Sequence, residues 1–310
     1  MEFDLVPMWI SPFIRISNST PRASKLAERI SRFKPLPIIA QIMGTYREHL
    51  AGTAGLLSGI DGVIGVELNC ACSSNTVIAS GTGSALLKKP GWIRDALIAM
   101  RDASKGRGGI GVKIRSGFES PDELPAILED IVEAEPDWIT LHYRTGKEFF
   151  SKVPEGRKRF MSARRMLMGR ILFASGDIFE PNDAVELVDK CGADGITPAR
   201  GLMRNPWLIR DIEAICTRGG MHRHDVLGFM RRLLEIVAEN PKWRNGLLLE
   251  LAKNIWGRDS EKFLALAKEQ TSEGMRRVLD VELSVTDKKI HALSPGRRTL
   301  HQDGRYGIKM

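Results

Sequence analysis

Cysteine and histidine are scarce in this chain, which argues against a disulfide-stabilised protein and against a zinc protein. The 310 residues include four cysteines, at positions 70, 72, 191 and 216, and six scattered histidines. These cysteines offer no disulfide framework, so we expect reduced thiols inside the cell. Cys70 and Cys72 could ligate a metal together, but no further cysteine or histidine stands at the spacing of a zinc site. We therefore expect no bound metal.

Long apolar runs are also lacking. No apolar stretch approaches the length of a membrane span, and no secretory signal is visible at the start. Hydrophobic residues still make up 43% of the sequence, which is ample for a core. We expect a soluble, cytoplasmic protein of two domains with no membrane partner. Its formal net charge of +8 favours a polyanionic partner, because a basic surface attracts phosphates.

From residue 36 to about residue 210, short β-branched runs alternate with longer amphipathic segments. This alternation is typical of successive βα units around a parallel sheet. The predicted strands are 5–16, 36–43, 62–68, 109–114, 138–142, 170–174 and 195–198. The predicted helices between them include 47–58, 93–104, 121–133 and 182–190. This gives one strand fewer than a closed (β/α)8 barrel needs.

The most informative segment is 67–87. An apolar run over 63–68 stops at Asn69, a thiol follows at Cys72, and a loop of small residues then leads into a helix. A strand that ends in this way delivers a reactive group to a loop. Without further context, two small buried residues at a strand end would be the alternative interpretation, and it suits Cys70 better than Cys72.

This segment resembles the tRNA-dihydrouridine synthases, which are flavoenzymes. Its Asn-Cys-x-Cys form, with Cys70 two residues before Cys72, is similar to the bacterial branch called the C type. The resemblance implies that Cys72 is the catalytic cysteine. Two neighbours depart from the family pattern, since Ala71 stands where the family has glycine and Ser73 where it has proline.

Residues at the ends of the later strands extend the resemblance, which covers about residues 9–212. They match family positions in the same order along the chain, at Gln41, Lys113, Arg115, His142, Arg144, Ser175, Gly176, Asp177, Ala199, Arg200 and Gly201. Any one of them could be an ordinary surface charge or a satisfied core residue. Their order on successive strands favours one site at the carboxyl ends of the strands. Ser175 and Ala199 replace the family's asparagine and glycine.

The resemblance implies FMN as the cofactor and NADPH as the reductant. The residues expected to hold FMN are Pro7, Met8, Gln41, Lys113, His142, Ser175, Gly176, Asp177, Ala199, Arg200 and Gly201. A cation such as Lys113 suits this role because reduced flavin carries negative charge near its pyrimidine ring. Gly176, Arg200 and Gly201 are expected at the FMN phosphate. Asn69, Arg115 and Arg144 are expected to contact the substrate.

The implied reaction is the reduction of a tRNA uridine to 5,6-dihydrouridine. Hydride passes from the flavin to C6 of a uridine that has left the base stack, and Cys72 donates the proton to C5. A thiol suits this step because its pKa lies nearer neutrality than that of a hydroxyl. Since the base must be unstacked, RNA shape is expected to matter more than sequence.

The missing strand falls at the start of the chain. In the family, a first strand ends in a Pro-Met pair, and a helix separates it from the second strand. Here Pro7-Met8 and the second-strand segment 11–16 are almost adjacent, so we expect a TIM-type (β/α)8-like barrel that lacks its first βα unit. That edge could stay open, be covered by another part of the chain or by self-association with a second copy, or hold a vestigial strand at 5–8.

Beyond residue 218 the strand pattern stops, which ends the predicted barrel domain at 1–218. Helical periodicity in 225–239, 247–256 and 260–269 predicts an all-helical domain over 219–287. In the family a C-terminal bundle grips tRNA, and the cations that could contact its phosphates here are Arg231, Arg232, Lys242, Arg244, Lys253 and Arg258. A solvated helix face is the alternative. We expect the basic segment 288–310 to be a flexible tail.

Two other functions fit parts of the sequence. The changes at Ala71, Ser73, Ser175 and Ala199 fit a paralogue that binds RNA but has lost its flavin site. A different FMN barrel oxidoreductase acting on a small molecule would share Gln41, Lys113 and the phosphate site, but it would not need residues 220–310. The reductase of tRNA uridine is the function we expect.

Overall fold

The computed structural model describes residues 6–217, 224–239 and 245–292, with side chains of the last helix described up to residue 282. The chain divides into two compact units, Met1–His222 and Arg223–Met310. Within the described residues, no helix is long and apolar enough to cross a membrane.

The first unit is built on a parallel sheet. Its strands are β1 (Trp9–Ile10), β2 (Ile14–Arg15), β3 (Ile38–Met43), β4 (Val63–Cys70), β5 (Gly109–Arg115), β6 (Trp138–His142), β7 (Leu172–Ser175) and β8 (Gly195–Thr197). From β3 to β8, each strand pairs in parallel with the next one along the chain. This order confirms the predicted succession of βα units.

Helices connect these strands. They are α1 (Ala23–Ser31), α2 (Arg47–Leu57), α3 (Asn75–Ala79), α4 (Trp92–Ser104), α5 (Leu124–Val132), α6 (Gly156–Met166), α7 (Pro181–Val185), α8 (Ala199–Arg204) and α9 (Leu208–Cys216). The sequence did not predict α1 or α6. In α1 the buried stripe consists of Leu26 and Ile30, one turn apart. In α6 the buried face is small and basic residues surround it, which hides the amphipathic pattern.

The two faces of the sheet differ in chemistry because alternate residues of a strand point to opposite sides. One set of alternating positions packs against the helices and is fully buried and apolar, as at Leu68, Val112 and Leu141. The opposite set includes at least one polar residue on every strand from β3 to β7, namely Gln41, Glu67, Lys113, Thr140 and Ser175 among others. The concave side of the sheet therefore presents polar side chains, whereas the core lies between the sheet and its helices.

The first strand position is broken. Both β1 and β2 pair with β3, with Ile10 opposite Ile39 and Ile14 opposite Ile42, so one extra residue lies on the outer strand. Pro12, which has no backbone N–H, stands in the interruption. Within residues 6–217, the sheet thus has seven strand positions and β8 does not pair with β1. Among the described residues, the sheet is therefore an open half-barrel, which is one of the alternatives that the sequence left for this edge.

The second unit is helical, as predicted. Its helices are α10 (Val226–Glu239), α11 (Gly246–Trp256), α12 (Glu261–Ala267) and α13 (Ser272–Ala292). A separate core joins them through buried residues such as Met230, Leu248, Leu266 and Leu279. Helix α13 continues to Ala292 and so includes the first five residues of the segment 288–310, which was predicted as a tail. Residues 293–310 lie outside the described residues.

Candidate active site

The strand register brings the predicted polar residues together at one edge of the sheet. Asn69 on β4 is opposite Lys113 on β5. Arg115, two residues further, is opposite His142 on β6, which is opposite Ser175 on β7. All of these belong to the alternating set on the concave side. Because parallel strands end at the same edge, these side chains line one end of the half-barrel.

A chain of buried hydrogen bonds connects β3 and β4 to the cysteine loop. Gln41 Nε2 donates to Glu67 Oε1 at 2.6 Å, and Asn69 Nδ2 donates to Gln41 Oε1 at 2.7 Å. Asn69 Oδ1 then accepts from the backbone N–H groups of Ala71 and Cys72, both at 3.0 Å. The asparagine therefore fixes the path of the loop that carries the thiol.

Cys72 is held by its backbone while its side chain is partly exposed. Its carbonyl oxygen accepts from the Ser84 N–H at 2.9 Å, and its Sγ lies 3.8 Å from Ser74 Oγ. Cys70 is fully buried, and burial raises the pKa of its thiol far above the usual range. Of the two neighbouring thiols, Cys72 is thus the one placed for chemistry.

Arg115 ties the cysteine loop to the loop that follows β6. Its Nε donates to Ala71 O at 2.7 Å, and its Nη1 donates to Thr145 O at 2.7 Å and to Phe149 O at 3.1 Å. The side chain is buried, and burial together with the nearby Arg144 lowers the pKa of Arg115 to about 10. Arg115 therefore remains a cation that positions backbone at neutral pH.

Lys113 lies between these groups on the concave side. Its Nζ donates to Ser175 Oγ at 2.8 Å. Burial lowers the pKa of Lys113 from 10.5 to about 8, against the opposing effect of Glu67. The ammonium group is consequently still charged at neutral pH, but it loses its proton under mildly alkaline conditions.

His142 is neutral at physiological pH. Burial, followed by the charges of Arg115, Lys113 and Arg144, lowers its pKa from 6.5 to about 2. Its Nδ1 accepts a hydrogen bond from the Arg144 N–H at 3.3 Å, which assigns the ring proton to Nε2. The concave side is thus rich in positive charge, and a neutral imidazole lies among the cations.

Asp177 joins the loops after β6, β7 and β8. Arg144 donates to its two oxygens at 3.1 and 2.5 Å, and Arg200 donates to Oδ1 at 2.5 Å. Burial alone would raise the pKa of Asp177, but the hydrogen bonds of Arg144 and Tyr143 lower it overall. Arg144 is itself almost fully buried and also donates from Nε to Ser151 O. These contacts make Arg144 a positioning residue in this structure.

Comparison with known proteins decides the family. Residues 7–242 match the family described as Dihydrouridine synthase (Dus). The chain belongs to the dihydrouridine synthase family.

Two relatives show how far the similarity to individual members of this family extends. A tRNA-dihydrouridine(16) synthase of Yersinia pestis is 31% identical over 173 residues, which cover 56% of this chain and 55% of the relative. A tRNA-dihydrouridine(16) synthase of Vibrio cholerae is 26% identical over 207 residues, covering 67% and 63%. The chain therefore spans between about half and two thirds of the length of these curated relatives.

Among solved structures, a histamine dehydrogenase from Rhizobium sp. 4-9 superimposes with a TM-score of 0.51 at 12% identity. The match covers 66% of this chain and 41% of the histamine dehydrogenase. At this level of identity the likeness concerns the fold alone. It agrees with the parallel half-barrel of this dihydrouridine synthase family member.

The structure also gives the surroundings of five further residues that the family resemblance predicted for the site. Pro7 and Met8 precede β1, and are therefore at the amino edge of the sheet, away from the polar groups described above. A Cβ on Gly176 would lie 2.2 Å from the Tyr143 ring, and one on Gly201 would lie 2.1 Å from Ile178 O. Both glycines thus allow close loop packing. Ala199, the first residue of α8, is exposed.

Glu67 is the polar residue of this site that sequence reasoning did not single out. It is fully buried, and its Oε2 accepts from Trp138 Nε1 at 3.0 Å and from Thr140 Oγ1 at 2.6 Å. With Gln41, it has three donors. The available signal was an acidic residue at an inward position of an otherwise apolar strand, since such a residue needs buried partners.

Metal ligation has no support in the part of the chain that the structure describes. There, no group of three or more histidine, cysteine, aspartate or glutamate side chains could hold an ion.

The buried polar atoms without a hydrogen-bond partner include Ser84 Oγ and Thr145 Oγ1. Both belong to the loops beside Cys72 and Arg144, so unfilled hydrogen-bonding capacity occurs at the carboxyl edge.

Proposed function

We propose that this chain is a tRNA-dihydrouridine synthase, which reduces a uridine of tRNA with FMN as cofactor and NADPH as reductant. The single observation that best supports this proposal is the way in which the Cys72 loop is held. Asn69 and Arg115 fix the loop from two sides, and the thiol is left partly exposed beside a cationic, concave surface. That combination suits proton donation to an anionic reaction partner.

The residues on the concave side fit a flavin mononucleotide. The cations around His142 outnumber the carboxylates that face them, which favours a ligand bearing a phosphate. Gln41, Lys113, His142 and Ser175 would hold the ring system. Arg200 and the backbone of 175–177 and 199–201 would hold the phosphate, since Arg200 has donors beyond the Nη2 that Asp177 engages. When bound, FMN supplies the hydride that reduces C6 of the base.

The chain's own residues have distinct tasks in this proposal. Cys72 donates the proton to C5 of the base, and Asn69 keeps its loop in place. Lys113, charged at neutral pH, stabilises negative charge on the ligand. Neutral His142 offers its Nε2 proton as a hydrogen bond. Arg115 and Arg144 position the surrounding loops, because backbone carbonyls and Asp177 engage their guanidinium groups.

The tRNA partner is expected to contact both basic units of the chain. In the helical unit, the predicted cations Arg231, Arg232 and Lys253 are each paired, with Asp280 at 3.2 Å, Glu235 at 3.1 Å and Glu250 at 2.5 Å respectively. Their side chains remain partly exposed, so RNA phosphates could replace these surface carboxylates at small cost. Arg258 is exposed, whereas Lys242 and Arg244 lie outside the described residues.

Dihydrouridine formation in unmodified tRNA is the direct test. The purified full chain, with FMN and NADPH, should convert at least one uridine of a tRNA transcript, detected by mass spectrometry of the digested RNA. tRNA from cells that lack the gene should lose the same dihydrouridine. Intact dihydrouridine in those cells, together with an inactive purified protein, would contradict the proposal. Tight RNA binding without flavin would then favour the RNA-binding paralogue, and flavin binding without tRNA binding the oxidoreductase of a small molecule.

A further inference from the structure

Four side chains at the carboxyl edge form an alternating series of aromatic rings and guanidinium groups. Arg200 lies over the Phe150 ring at 4.5 Å and over the Phe179 ring at 5.4 Å from the ring centroids. Arg204 lies over the Phe179 ring at 4.0 Å. The members come from the loops after β6 and β7 and from α8. We call Phe150, Arg200, Phe179 and Arg204 the aromatic–arginine stack.

The aromatic–arginine stack is held by buried and half-buried residues on one side and is open to solvent on the other. Asp177 binds Arg200 and is itself held by the buried Arg144. Phe150, in contrast, is 61% exposed, which is unusual for a phenylalanine, and Arg204 is exposed as well. The arrangement is thus ordered before any ligand arrives, and planar surfaces remain free for contact.

The stack also adjoins the proposed reaction site. The Phe149 carbonyl, next to Phe150 in the chain, accepts from Arg115 Nη1 at 3.1 Å, and Arg115 Nε binds Ala71 O beside Cys72. One buried arginine therefore connects the backbone of the stack to the loop that carries the thiol. A ligand bound at the stack would therefore lie close to Arg115, which holds the loop of Cys72.

The chemistry of these side chains selects single-stranded RNA. Unpaired bases stack on aromatic rings and on guanidinium planes, and arginine also attracts the phosphates between them. A duplex offers no free base faces, so it could use only the charges. In the aromatic–arginine stack, each ring lies beside a cation. This alternation matches a ligand in which flat bases alternate with negative phosphates.

We propose that the aromatic–arginine stack binds the unpaired nucleotides that flank the target base, and so places that base at Cys72. This inference rests on the proposed function for the identity of the target. It assigns to Phe150 and Phe179 the role of base-stacking residues and to Arg204 that of a phosphate contact. Arg200, which Asp177 holds, lies between the two rings and keeps them in place.

Binding of a short single-stranded oligoribonucleotide, with 2-aminopurine next to a central uridine, tests the proposal without turnover. The full chain, with and without added FMN, should quench the 2-aminopurine fluorescence, because stacking quenches this base. Phe150→Ala should abolish most of the quenching and weaken binding about tenfold, the order of one lost base stack. Phe150→Trp should retain both, since it keeps an aromatic face. The duplex form of the oligonucleotide should bind equally to all variants.

Met168→Ala is the matched control. Met168 is 80% exposed and precedes β7, at the amino edge of the sheet, so its removal should leave binding and quenching unchanged. Unchanged oligonucleotide binding by Phe150→Ala and Phe179→Ala would overturn the proposal. So would a Phe150→Ala variant that loses only FMN affinity, because the stack would then belong to the cofactor. If tRNA is not reduced but the stacking results hold, the proposed function fails and the RNA site stands.

Discussion

The centre of the sheet and its open edge hold their strands in different ways. Between β4 and β5, six consecutive residue pairs run without interruption, from Gly65–Gly109 to Cys70–Ile114. At the edge, β1 and β2 contribute two pairs each, separated by a bulge at Pro12. The central strands carry the buried polar groups of the proposed site, whereas Phe13 at the edge is 38% exposed.

This difference shows why the Cys72 loop can be well supported in a sheet that is open at β1 and β2. The hydrogen bonds that orient the Cys72 loop begin at Glu67 and pass through Gln41 and Asn69, all on β3 and β4. The edge strand contributes one bond to them, from the Gln41 N–H to Ser11 Oγ at 3.0 Å. The central network therefore depends little on the edge strand.

The largest expected effect comes from the thiol at the end of the central network. Cys72→Ala should lower the rate of tRNA reduction by about 10²- to 10⁴-fold, the usual contribution of a general acid. Binding of tRNA should persist. Cys216→Ala is the control, because this exposed cysteine lies at the end of α9, and it should react at the wild-type rate. A Cys72→Ala enzyme as fast as wild type would remove the proton-donor role.

Removal of the buried carboxyl group should break the central network itself. Glu67→Ala leaves Gln41 Nε2, Trp138 Nε1 and Thr140 Oγ1 without their acceptor, so the free energy of unfolding should fall by about 3 kcal/mol. Urea denaturation measures this change. Glu67→Gln keeps the volume and one acceptor oxygen, so its loss should be smaller. Equal stability of Glu67→Ala and wild type would show that the network has no structural role.

Acid should weaken the central strands through His142. Its pKa is about 2 in the folded protein and 6.5 as the ordinary value, so the unfolded chain binds a proton first as pH falls. The stabilising contribution is complete above pH 6.5 and is lost progressively below it, by about 2 kcal/mol at pH 5. Urea titrations at pH 7 and pH 5 should show this loss in wild type and a smaller one in His142→Asn. The same pH dependence in both proteins would contradict the assignment.

The smallest effect is expected at the open edge. Ser11→Ala removes the acceptor of the Gln41 N–H, which should lower the free energy of unfolding by about 1 kcal/mol. The comparison of the two regions predicts that this loss is clearly below that of Glu67→Ala. Ser11→Thr, which keeps the hydroxyl, serves as the matched variant in the same urea experiment. A loss at Ser11 as large as at Glu67 would show that the edge and the centre act as one unit.

The sequence predicted the features that depend on local pattern and strand direction. Apolar runs located β3 to β8, and parallel pairing then required Lys113, His142 and Ser175 to end at one edge. The sequence did not single out Glu67 as a site residue, because its partner Trp138 is 71 residues away along the chain. Pro7 and Met8 were expected at the site because the first strand of the family ends in a Pro-Met pair. In the structure, the strand direction places them at the opposite edge.

Visible absorption of the purified full chain, after incubation with FMN and removal of the excess, tests the central claim most directly. The claim is that the open half-barrel binds FMN among the polar residues at its carboxyl edge. We predict that the protein retains a bound flavin spectrum and that NADPH bleaches it. Protein that stays colourless after incubation with a large excess of FMN would contradict the account.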